Sequence, residues 1–399
     1  SFQEKRRIKL MIIMSERFYG MDFLRMALML SGIVFHAGLF YTCTEHETLW
    51  PIQVSECHMT FDVICGWLHL FRIPAFFVIA GFFAALLLEK RGLTGFVINR
   101  FWRIVLPFVL AWLILFPVVI LIFYLLNHLG DEHVFSDTIT GLFSRELIGY
   151  KPKITIHLWF LYYLIFFYVV LLLIRRFWKP RSKRPLLLVL GFAMVLSGLG
   201  FFFCESGEFN GFYSFNPDFF SLGGFAPFFF FGYLLYHHQY WIKRFMKSYV
   251  SMLAWSIIPF ITYLLLRIGR IDLGETITKL LLVISSIIFS WLMILALIGW
   301  VSYKFRQSNP VIRYLSDASY WIYLVHLPMI LLIGGLLNEL IHFSLFVWIL
   351  NILLTSIFTL LTYHFLVRPT IIGKLLNGRK YPFANPFRIT RKIEGQMKM

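Results

Sequence analysis

The sequence predicts an all-α fold: a polytopic integral membrane helix bundle of about ten transmembrane helices, with both termini cytoplasmic. Three observations carry this reading. Of the 399 residues, 59% are hydrophobic and only 14% charged, and the mean hydropathy is +0.75. A soluble core of this length cannot bury that much apolar surface. Apolar runs of roughly 20 residues recur, the length that crosses a ~30 Å hydrocarbon layer. Such runs must be helical, because lipid offers backbone N–H and C=O groups no partner; the alternating pattern of a membrane β-barrel is absent. Finally, the basic residues are sorted by side.

The expected spans are 20–42, 60–88, 102–126, 157–174, 186–203, 219–236, 249–267, 278–302, 318–337 and 345–366. With the N-terminus inside, inner loops and tails hold 29 of the 37 Lys and Arg residues. The outer segments hold Arg145, Lys151, Lys153, Arg267, Arg270 and Lys279, and Arg25 and Arg72 lie inside spans. The positive-inside rule therefore accounts for the net charge of +17 and removes nucleic acid as a partner. Fourteen of the 20 acids fall on the outer side. The first span lacks a small-residue cleavage site, so it is expected to be retained.

The chain divides into a cytoplasmic segment 1–19, a transmembrane domain 20–367 and a cytoplasmic tail 368–399. No connecting segment is long enough to fold alone. Any chemistry must lie inside the bundle, which directs attention to polar residues within spans, costly in lipid and functional by default.

The first span carries Asp22, Arg25 and His36. Arg25 and His36 share a helical face, because eleven residues make about three turns plus 20°, with a rise of about 16 Å. The arm of an acyl-CoA, from pyrophosphate to thioester, has a comparable length. An arginine at the inner mouth can grip phosphate, and a deep histidine can take a proton from a hydroxyl. The plainer alternative is a snorkelling arginine and a hydrogen-bonded core histidine.

The second span carries His69 and Arg72, three residues apart on one face. Arg72 lies near mid-membrane, where an arginine costs ~2.5 kcal/mol or more unless paired or wet. It pairs either with an anionic substrate group or structurally with Asp22 or Asp62. The third span opens on Arg100 and Arg103, also on one face at the inner rim. They suit phosphate binding by forked guanidinium groups or simple positive-inside anchoring.

His157 and Trp159 open the fourth span at the outer surface, where they contact a sugar or form an interfacial belt. In the ninth span Ser319, Tyr323 and His326 follow i, i+4, i+7 spacing, a polar stripe that lines a cavity or bridges helices. The outer segment 205–220 mixes five phenylalanines with Glu205, Glu208, Asn210, Tyr213, Asn216 and Asp218, a weak carbohydrate signal. His46, Cys57 and His58 match no zinc spacing, so no metal is expected. Cys43 and Cys57 share the first outer loop; they pair if it faces an oxidising compartment, or remain two free thiols.

These motifs, in this order, resemble the acyltransferase-3 family of membrane acyltransferases. Arg25-x10-His36 resembles its first-helix signature, Phe76-Phe77-Val78-Ile79-Ala80-Gly81 its second-helix motif, and Arg100-x-x-Arg103 its third-helix motif. His69-Leu70-Phe71-Arg72, His157-Leu158-Trp159-Phe160-Leu161 and Ala318-Ser319 through His326 are similar to the glucan-succinylating branch of that family. The resemblance spans about residues 17 to 330. Ala80 departs from it, since the family commonly has serine there, and no fused soluble hydrolase-like domain is visible.

The resemblance implies that 20–367 is an acyltransferase domain in a bacterial inner membrane. It implies a cytoplasmic acyl-CoA cosubstrate, succinyl-CoA or acetyl-CoA, and no permanently bound cofactor. The acceptor would be a hydroxyl of a periplasmic glucan or surface glycan. Arg25, Arg100 and Arg103 would hold the donor, and His36, Arg25 and Arg72 would carry the chemistry. Asp22, His69, His157, Trp159, Ser319, Tyr323 and His326 would line the cavity or meet the acceptor. A homo-oligomer is compatible with this reading. The rivals are an O-acetyltransferase of surface polysaccharide and, in another class, a transporter or flippase. Against the latter stand the missing internal repeat and paired broken helices.

Overall fold

The computed structural model describes residues 18–44, 57–127, 155–175, 185–204, 209, 215–307 and 309–381. Among the described residues there are eleven α-helices and no strand. They are α1 Tyr19–Gly38, α2 Met59–Arg100, α3 Leu106–Asn127, α4 Trp159–Arg175, α5 Leu186–Phe203, α6 Phe219–His237, α7 Tyr240–Arg267, α8 Glu275–Lys304, α9 Pro310–Leu340, α10 Ser344–Thr362 and the short α11 Ile371–Asn377. Short turns extend some ends: a 3₁₀ turn Leu39–Tyr41 after α1, and π turns Phe101–Val105 and Tyr363–Val367.

Nine continuous stretches among the described residues are long and apolar enough to cross a membrane. The longest, Met59–Leu126, runs 68 residues, about 100 Å at 1.5 Å per residue. That is too long for one crossing. It breaks at Gly92, whose φ of 67° lies where glycine alone is comfortable. The expected spans 60–88 and 102–126 are thus two arms of one interrupted helix.

Two expected boundaries need correction. The seventh helix begins at Tyr240 rather than residue 249, so Lys243, Arg244 and Lys247 sit on its first turns instead of in a loop. The ninth begins at Pro310 rather than residue 318, because the Asn309 side chain accepts from the amides of Val311 and Ile312 and proline fits the first helical position. Part of the expected tail is also structured. After α11, Tyr381 donates to Asp317 Oδ2 of α9 at 2.9 Å and Arg379 pairs with the same oxygen at 3.3 Å. The segment 1–17, the loop at His46 and residues Glu205, Glu208, Asn210 and Tyr213 lie outside the described residues.

Helix α1 is the axis of the bundle, packed against α2, α8, α9 and α10. α2 packs in turn on α6, and α7 pairs with α8. The second-helix motif explains the first of these contacts. A Cβ on Gly81 would collide with the Phe229 carbonyl, and one on Gly232 with the Val78 carbonyl. Each glycine lets the other helix's backbone approach, the small-residue packing that membranes favour because apolar side chains gain little there. The peripheral helices turn Leu187, Leu188 and Phe192 of α5, Trp255 and Ile258 of α7, and Leu353 and Ile357 of α10 outward. An apolar exterior around a polar centre is the pattern lipid imposes.

Candidate active site

At the centre of the bundle, α1, α2, α9 and the turn before α4 bring four polar side chains together. Gly32 of α1 marks the spot. A Cβ there would lie 2.9 Å from Arg72 Nη1 and 3.6 Å from His326 Nε2. His36 follows one turn later, so it projects from the same face. Its ring centroid is 5.2 Å from that of His326, which is 5.2 Å from that of His157. His326 is therefore the middle of a row of three imidazoles.

Arg72 is 6% exposed, and its guanidinium lies 4.4 Å from the centre of the Phe35 ring. The His69 ring stacks on Phe35, with centroids 5.8 Å apart. The two carboxylates considered as structural partners of Arg72 also bond other groups. Asp22 Oδ1 pairs with Arg25 at 3.5 Å. Asp62 accepts from the Cys43 and Thr44 amides and the Thr44 hydroxyl at 2.7–3.0 Å. There it fastens a loop that the Cys43–Cys57 disulfide closes.

The local backbone explains why His157 sits here. Pro328 has no N–H, so it cannot cap the carbonyl four residues earlier in α9, that of Leu324. His157 Nε2 donates to that carbonyl at 3.1 Å and to the Tyr323 carbonyl at 3.0 Å. Tyr323 Oη returns a bond to the His157 carbonyl at 2.9 Å. The same rule acts on α2, where Pro74 releases the Leu70 carbonyl and the Ser290 hydroxyl donates to it.

These bonds fix tautomers, since a ring nitrogen that bonds a carbonyl must carry the hydrogen. His326 donates from Nδ1 to the Tyr323 carbonyl at 2.7 Å and the Ile322 carbonyl at 3.1 Å. In the neutral ring Nε2 then holds a lone pair. By the same logic His157 holds one on Nδ1. Both atoms are buried and make no hydrogen bond among the described residues.

A second cluster lies at the other end of α1. Arg25 Nη2 donates to Ser316 Oγ at 2.8 Å. Arg100 sits between the rings of Phe96 and Tyr168, at 5.4 and 4.9 Å. Arg103, on the π turn, is within electrostatic reach of Arg25, Arg91 and Arg100. Gly378, with φ +75°, passes so close that a Cβ there would lie 2.8 Å from Arg103 Nη2. The three arginines expected to act together thus occupy one end of the bundle, and His36, Arg72, His157, Tyr323 and His326 its centre.

Three expected residues stand differently. His157 and Trp159 are each 7% exposed, so neither forms an interfacial belt; Trp159 packs on Tyr163 and Phe225 in the aromatic core. Ser319 turns its hydroxyl back to the Ser316 carbonyl at 2.9 Å. Sequence reasoning missed Gly32 and Phe35, which have no polar group to draw notice, and the docking of Arg379 and Tyr381. For the last, Asn377-Gly378 was a legible helix stop, but its target was not.

Fold and polar centre, with the comparison to known families, define an integral-membrane acyltransferase. The chain belongs to the acyltransferase-3 family, whose acyltransferase domain matches residues 18–364. Curated relatives include the glucans biosynthesis protein C of Salmonella paratyphi B, Salmonella dublin and Salmonella enteritidis. Each is 25% identical over 385 residues, covering 91% of this chain and 95% of the relative. No solved structure matches the chain.

Proposed function

We propose that this enzyme carries an acyl group, succinyl, from cytoplasmic acyl-CoA to hydroxyls of a periplasmic glucan in a bacterial inner membrane. One observation carries the reading: α1 joins two polar clusters that a long donor must reach together. The arginines at one end suit a polyphosphate; Gly32, which Arg72 and His326 border, lies about 10 Å further along α1 and His36 about 16 Å. The relatives named for glucan biosynthesis support the acceptor class.

In this reading Arg25, Arg100 and Arg103 hold the phosphates of the donor. The thioester reaches His36. Arg72 faces the free carboxylate of a succinyl group, which needs a cationic partner once desolvated. The hydroxyl arrives from the opposite side, and the imidazole row takes its proton as its oxygen attacks the thioester carbonyl. The disulfide supports placing the Cys43–Cys57 loop in an oxidising compartment, which leaves the arginine end facing the cytoplasm.

The test is thermal stabilisation of the purified protein in detergent by CoA, acetyl-CoA and succinyl-CoA, with Arg100→Ala as control. A ligand at 100 times its Kd adds ~2.7 kcal/mol. The expected result is a shift, largest for succinyl-CoA and lost in Arg100→Ala. No shift from any of the three, with the protein well folded, overturns the CoA donor.

A further inference from the structure

We propose that His326 is a second catalytic histidine, the base that receives the proton of the acceptor hydroxyl, with His36 relaying that proton to the leaving sulfur. The inference rests on the acyl-transfer reading above and names the atom that does the work.

The argument begins with what His326 Nε2 is. Its ring partner Nδ1 is committed as a donor to two carbonyls of α9. Nε2 therefore presents a lone pair and no hydrogen. The side chain is 3% exposed, and Nε2 has no hydrogen-bond partner among the described residues. A buried acceptor left unsatisfied costs about 1–3 kcal/mol. The fold retains one, held by two bonds in one orientation.

The second point is where it aims. Nε2 lies 3.6 Å from the site of a Cβ on Gly32, and Arg72 Nη1 lies 2.9 Å from the same point. A lone pair and a cation thus border one spot on α1, a turn below His36. In acyl transfer the acceptor hydroxyl is the reactant that offers a hydrogen to such a lone pair, and the acyl group is the one that offers a charge or carbonyl oxygen to a guanidinium. The lone pair and the guanidinium are close enough to act on both reactants at once.

The third point separates His326 from its neighbours. His157 also holds a lone pair, on Nδ1, but its ring contacts Tyr323 and His326. His326 touches both other rings, and it is the one beside His36.

The step balances. The hydroxyl oxygen forms the new C–O bond to the thioester carbonyl carbon as its proton passes to His326 Nε2. The tetrahedral adduct collapses, the C–S bond breaks, and CoA leaves as the thiolate. The imidazolium proton of His326 moves to neutral His36 and from there to the sulfur. The products are the ester and the free thiol, and both histidines end neutral.

The experiment compares wild type, His326→Asn and His326→Ala in acyl transfer from the CoA thioester. Asparagine keeps a donor toward the Tyr323 carbonyl but has no lone-pair nitrogen at the far end, so it preserves the fold. Two acceptors are used: a glucan oligosaccharide and trifluoroethanol, whose more acidic hydroxyl needs less help from a base. General-base removal is expected to slow glucan transfer by 10²–10⁴-fold, and trifluoroethanol transfer by less than tenfold. Thermal stabilisation by CoA should remain as in wild type. A His326→Asn enzyme that folds and keeps more than a tenth of its glucan rate overturns the proposal. So does one that loses both acceptors equally, which would make His326 a packing residue. A wild type that transfers no acyl group from any CoA thioester would instead sink the underlying acyl-CoA reading.

Discussion

His157 Nε2, in the turn before α4, donates to the Leu324 carbonyl of α9 across 3.1 Å, a bond open to it because Pro328 leaves that carbonyl free. The proline thus helps to set the position of a histidine in the row. Pro328→Ala restores the amide hydrogen, which competes for Leu324. The expected outcome is a melting temperature equal to or above that of wild type, with transfer slowed tenfold or more. Parallel melting and rate measurements check it, and a fast, stable variant would mean His157 does not need the bond.

The crossing of α2 and α6 rests on mutual close approach at Gly81 and Gly232. Gly81→Val places atoms where the Phe229 carbonyl now lies. Overpacking of this kind costs about 1–3 kcal/mol or more, and here a backbone atom must move. Detergent-soluble yield and melting temperature should both fall sharply. Ala80→Ser, which places the family's usual hydroxyl beside that crossing, should leave both within experimental scatter of wild type.

Arg72 should distinguish acyl groups. If its guanidinium holds the succinyl carboxylate, Arg72→Gln slows succinyl transfer by 100-fold or more and acetyl transfer by less than tenfold. Rates with both CoA thioesters measure this directly. Equal losses would remove Arg72 from specificity.

The Cys43–Cys57 bond fixes a loop of sequence separation 14. Closing a loop near that length is worth about 3 kcal/mol in the chain-entropy account. Reduction of the detergent-purified protein should lower its melting temperature. Cys57→Ser leaves Cys43 free, and a membrane-impermeant maleimide should label it in spheroplasts without lysis. Labelling that needs lysis would invert the topology.

At the other end, Tyr381 donates to Asp317. Burial first, and the Asp317 carboxylate second, push its phenol up to about 12. A group with a raised folded-state pKa stabilises fully below its unfolded value, near 10, and loses that contribution as pH rises through the folded one. Docking of 371–381 should therefore not vary between pH 6 and 9 and should loosen between about 10 and 12. Proteolysis of the tail followed against pH reads this; Asp317→Asn should raise cleavage at pH 7.

Sequence by itself determined the class of fold. Runs long enough to cross lipid, backbone groups that lipid cannot satisfy, and basic residues gathered to one side left only a helical membrane bundle. It also offered Arg25, His36 and Arg72, because polar groups in hydrocarbon are costly enough to stand out, and Arg100 and Arg103 by their spacing at the inner rim. Tertiary structure decided which of them meet. A helical face sets the side of α1 on which His36 lies, but no local rule places Arg72 of α2 and His326 of α9 over Gly32. Nor does any local rule bend the chain from Asn377 back to Asp317. Those contacts join residues far apart in sequence, and they are set by which backbones can approach closely and which carbonyls proline leaves unbonded.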